Sequence, residues 1–169
     1  MRKCLVMCVM LVLMRHSITC AQQGLPQEPQ TMQTRFGPLS VGKDRVLLFR
    51  GQALQPRVEG NNSLDLGTPF RMGAADVVLV INEGGTLCPY LYHFVTVTQS
   101  GAHATPAFGT CAEQTNVERR GDVLRVSMPG FRGPFESPQD RSRAARERHV
   151  FLYRAGVVTE HGQPVKERR

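Results

Sequence analysis

The chain has 169 residues, 41% of them hydrophobic, with 21 Lys and Arg against 14 Asp and Glu for a formal net charge of +7. That length suits one core's worth of domain, and with no repeat at a solenoid or propeller period it excludes those architectures. The positive charge comes with no recognisable nucleic-acid reader motif, which argues against nucleic acid as a partner and leaves an acidic protein or a polyanionic surface.

Residues 1–21 read as an export signal. Arg2 and Lys3 precede an uninterrupted apolar run at residues 4–14, eleven residues long and too short for an ordinary membrane helix. Thr19 and Ala21 stand at the −3 and −1 positions of a cleavage site that would expose Gln22. A rival cleavage before Cys20 would attach lipid there, although Ser17, Ile18 and Thr19 ahead of it lack the usual leucine and small residue. Either way the expected location is the periplasm or outside the cell, with no transmembrane segment left in the processed chain. Processing after Ala21 removes Arg2, Lys3 and Arg15 and lowers the formal charge from +7 to +4.

Residues 22–34 are rich in Gln and Pro, have little to bury, and are expected to form a flexible leader to a single domain over residues 35–161. Within residues 43–50 a short strand carries Val46, Leu47, Leu48 and Phe49. Gly51, Pro56, Gly60, Gly67, Pro69 and Gly73 then punctuate the chain and predict short irregular strands, because they would interrupt a helical hydrogen-bond ladder. Asn61, Asn62 and Ser63 form a glycosylation-like triplet that marks a surface turn.

The chain is organised around residues 76–111. Residues 77–81, Val-Val-Leu-Val-Ile, have the length and branching of a buried strand, and residues 90–98 alternate in the manner of a second. Tyr90, Tyr92 and Phe94 share one face, as core or as an aromatic contact patch, and His93 lies on the other with Leu91, Val95 and Val97. Once the signal is removed, Cys88 and Cys111 are the only cysteines, and in an oxidising compartment they most simply pair. A closed loop of about 24 residues would contribute roughly 3 kcal/mol in the chain-entropy account. Two buried thiols are the alternative. His93 and His103 fall between the cysteines, but the spacing matches no structural zinc pattern, and no metal or cofactor is expected.

Residues 121–128 form a half-buried strand with Leu124, Val126 and Met128 on one face. Phe131 and Phe135 flank Arg132 in a loop containing Gly133 and Pro134, a combination suited to protein contact. A helix is expected to start at Ser137, with Pro138 in its first turn and Asp140 near its positive end, and to continue through residues 141–149. That helix would gather Arg141, Arg143, Arg146 and Arg148 into the densest basic patch. Residues 149–160 read as a closing hairpin around Ala155 and Gly156, and residues 162–169 as a fraying tail. The fold expected is mainly β: a single antiparallel sheet domain, small sandwich or open barrel with one short C-terminal helix.

The segments holding Gly84, Gly85, Thr86, Leu87, Cys88 and Pro89, then residues 92–97, 105–111 and 121–131, resemble small exported β-domain proteins of Gram-negative bacteria, to which no activity is attached. The likeness covers residues 76–131 and implies a periplasmic location and a Cys88–Cys111 pair, both reached above from the residues themselves.

No Gly-x-Ser-x-Gly elbow, His-Glu-x-x-His helix, phosphate loop or Asp-rich metal loop is present, although a convergent Ser, His and acid arrangement is defined by geometry and not by order. The expected activity is therefore binding through protein contacts, as an inhibitor or immunity-like protein against an envelope-acting enzyme. Phe131, Arg132, Phe135, Arg141 and Arg148 would carry the contact. The alternatives are a small hydrolase using His93 or His149 with a nearby acid such as Glu113, and a structural envelope protein.

Overall fold

The computed structural model describes residues 30–113 and 116–166. The expected signal at residues 1–21, leader residues 22–29 and the last three residues of the tail lie outside them. The described chain is a mainly β domain of three antiparallel sheets with no closed barrel and one short helix near the C-terminus. The first sheet is a meander of β1 (Thr31–Thr34), β2 (Gly37–Val41), β3 (Leu47–Phe49) and β4 (Gln52–Ala53). The second contains β5 (Ser63–Leu66), β6 (Phe70–Met72), β7 (Ala75–Glu83), β8 (Tyr90–Thr98), β9 (Gly101–Ala104) and β10 (Phe108–Cys111). The third is a meander of β11 (Asn116–Arg120), β12 (Val123–Pro129), β13 (Arg148–Arg154), β14 (Val157–Glu160) and β15 (Gln163–Pro164), with α1 (Pro138–Ala144) between β12 and β13.

The second sheet is the middle layer. Along β7, Val78 and Val80 join a core with Leu39, Leu47 and Phe49 of the first sheet. Val77 and Leu79, one residue out of phase, join a separate core with Leu124, Phe151 and Tyr153 of the third. Because successive side chains point to opposite faces, a strand covered on both sides must be apolar at every position. That is why residues 77–81 read as an unbroken run. On β8, Tyr92 and Phe94 fill the core against the third sheet, and Phe94 stacks on Phe108 at 5.3 Å. The shared face of Tyr92 and Phe94 is thus core, with Tyr90 partly buried at its edge.

β5 and β6 lie end to end along one side of β7, and β9 and β10 do the same along β8. Pro69 and Pro106 fall in the two breaks, where a residue without an N–H cannot continue a ladder. Thr105 repairs the second break by bonding Phe94 on both sides, its N donating to the Phe94 carbonyl at 2.9 Å and its Oγ1 accepting from the Phe94 N at 3.0 Å. β10 bends at a register shift, and there Gly109 is required: its φ is +120°, and a Cβ would come 2.9 Å from the Tyr92 ring.

Three expectations are corrected. β1 begins at Thr31, inside the segment expected to be a flexible leader, because Met32 packs against the first core and the backbone pairs with residues 37–40. β15 lies in the expected tail, where Gln163 and Pro164 pair with Glu160 and Thr159. The helix has seven residues and ends at Ala144, five short of the expected end at residue 149. Its terminal amides close tight turns, Arg146 N to Arg143 O and Glu147 N to Ala144 O, after which pairing of Arg148–Arg154 with β12 takes over. Arg146 therefore sits in a turn and Arg148 in a strand, so the four arginines do not share one helical face.

Candidate functional site

Cys88 and Cys111 form a disulfide that closes a sequence separation of 23 residues and joins the entry of β8 to the end of β10. Residues 84–89, which lead into this corner, are held at both ends. Gly84 N donates to Pro89 O at 2.8 Å, and Asn62 N donates to Glu83 O at 2.7 Å. A Cβ on Gly84 would lie 2.7 Å from Asn62 N, so this turn closes only around glycine. At its tip Leu87 is 68% exposed.

A second loop, residues 130–137, meets the first. Its start is fixed by Gly130, where a Cβ would meet the Ala144 carbonyl at 2.7 Å and Glu147 Oε2 at 2.9 Å. Its end is fixed by the Ser137 cap, whose Oγ accepts from Asp140 N at 3.1 Å. Between them Phe135 is 84% exposed, and a methyl placed on Gly133 would stand 3.8 Å from Leu87 Cδ2. The two loops thus lie side by side, and each carries a large apolar side chain into solvent. Arg132 lies exposed within the second loop, and Arg141 and Arg143 are exposed on α1, which follows it, with Arg143 paired to Asp140 at 3.5 Å. Phe131 is half-buried, and Arg148 reaches back to donate to Ser127 Oγ at 3.4 Å.

The two histidines singled out from the sequence have different settings. His93 is half-buried on the face of β8 toward the first sheet, and its Nδ1 donates to the Thr105 carbonyl at 2.9 Å. Burial pushes its pKa below the ordinary value, against the opposing pull of that carbonyl. Burial thus favours its neutral form, hydrogen-bonded within the sheet. His149 lies between two carboxylates, with Nδ1 2.9 Å from Glu160 Oε1 and Nε2 3.6 Å from Glu147 Oε2. Together with Thr110, Phe131 and Arg132 these groups line a recess of about 230 Å³ behind the 130–137 loop.

Glu113 serves neither histidine. Its carboxylate lies by Tyr90, whose phenol is held above the usual pKa by desolvation, then by Glu113 and Glu83. The acid that does reach His149, Glu160, was within reach of sequence reasoning. A two-residue Ala155–Gly156 turn fixes the hairpin register, which sets Glu160 opposite Phe151 and diagonal to His149. Ala155 at φ +48° and Gly156 at φ +87° form that turn. Leu87 carried a weaker signal, a lone apolar residue in a Gly, Thr, Cys and Pro connection.

The His149 recess can hold and orient a proton, since a carboxylate on Nδ1 fixes the tautomer. It is not set for nucleophilic attack: the Glu147 carboxylate occupies the Nε2 side, and the Thr110 hydroxyl is spent on the Pro129 carbonyl at 2.6 Å. Among the described residues no cluster of His, Cys, Asp and Glu is arranged to hold a metal ion, and no helix is long and apolar enough to cross a membrane. No family model matches the chain, and no curated protein or solved structure matches it.

Proposed function

We propose that this is an exported domain that acts by protein contact, as an inhibitor or immunity-like protein against an envelope-acting enzyme. Its contact surface is the end where residues 84–89 and 130–137 meet. The observation that carries the reading is that Leu87 and Phe135 are exposed on two neighbouring loops, Gly133 of one lying beside Leu87 of the other, and that each loop is pinned at its base. Apolar anchors presented on a rigid frame lose little entropy on binding, and a flanking arginine is the polar group most often found at such centres. Arg132, Arg141 and Arg143 select a partner that offers an apolar pocket with carboxylates at its rim.

Photocrosslinking from position 135 tests this, with position 157 on β14 as the control. The expected result is one protein captured from 135 and not from 157. Once purified, it should bind the wild type and lose at least tenfold in affinity to Leu87→Ser/Phe135→Ser. Capture equal at both positions, or undiminished binding to the double variant, would refute the reading.

One observation favours a second reading, an acid–base enzyme in which His149 activates water after the exposed Glu147 carboxylate swings off Nε2: the Glu160 hydrogen bond in a recess that also contains Arg132. It predicts hydrolysis of small esters that disappears in His149→Ala while binding by the loops is unchanged. No turnover by the wild type would dismiss it.

A further inference from the structure

The opposite end of the molecule opens into a second recess, of about 380 Å³, between the middle and third sheets. β12 runs from this end to the 130–137 loop, so the recess is separated from the proposed contact surface by the strand's length, about 20 Å. Facing sheets stand about 10 Å apart and must be filled by side chains. Deeper in, Tyr92, Phe94, Phe108 and Phe151 do this. At the mouth the wall positions are small, Gly73, Gly121 and Ala155, and the gap stays open.

Its chemistry is divided. The inner surface is apolar, from Met72, Ala75 and Val77, and its two hydroxyls satisfy each other: Thr96 Oγ1 and Tyr153 Oη are 2.6 Å apart. An apolar recess whose polar groups are already paired holds water poorly and favours an apolar occupant. The mouth is charged. Arg154 pairs with Asp122 at 3.3 Å, and Arg119 spends its Nε on the Gly121 carbonyl at 3.0 Å, so two guanidinium groups meet one carboxylate and the mouth is net positive.

We propose that this recess is a binding site for a small amphipathic carboxylate, its apolar body against Met72, Ala75 and Val77 and its head group at Arg119 and Arg154. A planar guanidinium matches a carboxylate in two hydrogen bonds, which suits the head group to this rim. The site takes a short acyl chain or a single aromatic ring.

The test is titration of the full chain with octanoate, followed by amide chemical shifts, with acetate and octanol as controls. Octanoate should give saturable shifts at Ala75, Thr96, Gly121 and Ala155, acetate should give none there, and octanol should bind at least tenfold more weakly. Arg119→Gln/Arg154→Gln, which changes only exposed side chains, should weaken octanoate at least tenfold and leave octanol unchanged. No saturable shift at those four amides would overturn the site. Equal octanoate binding by the double variant would overturn the assignment of the carboxylate to the rim. Both results are independent of crosslinking at position 135, so the loop surface and this recess stand or fall separately.

Discussion

Thr96 of the middle sheet and Tyr153 of the third share a hydroxyl–hydroxyl hydrogen bond of 2.6 Å across the interface between layers. Tyr153 is 2% exposed, so an unpaired partner there would be only partly rescued by solvent. Tyr153→Phe and Thr96→Val should each cost about 1 kcal/mol, and the double variant less than the sum, because removing both partners leaves no orphaned donor or acceptor. Urea unfolding of the four proteins measures this. Strict additivity would show that the two hydroxyls do not interact.

A second cross-layer tie is charged. Asp76 is 2% exposed and accepts from the Arg35 main-chain N at 2.7 Å and the Arg35 Nε at 2.8 Å, clipping the β1–β2 turn to the start of β7. Asp76→Ala should cost about 2 to 3 kcal/mol, toward the low side for a broken buried pair because Arg35 is partly exposed. Asp76→Asn should recover little of it, since an amide offers one oxygen where two donors converge and turns an NH2 toward the other. Full stability in Asp76→Asn by thermal melting would contradict this geometry.

The disulfide gives a third expectation. Cys88→Ala/Cys111→Ala should lower stability under oxidising conditions by up to roughly 3 kcal/mol, with any loss of partner binding following from loosening of the 84–89 loop. Stability equal to wild type would remove the staple from the account and mark these sulfurs as reactive groups instead.

The fourth concerns pH. The His93 pKa is lowered by burial, so the unfolded chain binds more protons than the folded one once pH falls below the unfolded value of about 6.5. The slope of stability against pH is then positive: the His93 contribution is fully present above that value and is lost progressively as pH falls from there through the lower folded value. Denaturation midpoints measured between pH 7.5 and 5 should fall more in the wild type than in His93→Gln, whose side chain still donates to the Thr105 carbonyl. Parallel curves would mean that His93 is not desolvated.

Much of the architecture was legible from pattern alone. The unbroken apolarity of residues 77–81, the alternation in residues 123–128 and the turn at Ala155 and Gly156 are local signals, and each strand formed where its signal lay. What escaped was set by distant partners. Residues 31–34, with one apolar side chain in Met32, become a strand because β2 supplies the ladder and the first core takes that methionine. Arg146 and Arg148 leave the helix because β12 competes for the chain. The same applies to the candidate sites. Phe135 and Arg132 were visible as loop chemistry, but that Leu87 stands beside Gly133 depends on how the second and third sheets stack.

The three layers are also consecutive in the sequence: residues 31–53, 63–111 and 116–164 each complete one sheet before the next begins. Chain leaving the ribosome or a translocation pore from its N-terminus would finish the first meander with its apolar face uncovered, and only the arrival of β7 and β8 would shield it. The middle layer would in turn wait, bare on its other side, for β12 and β13. Assembly in that order would be vectorial, and its exposed intermediates would make the 63–111 segment the point at which a truncated or stalled chain is most prone to aggregate.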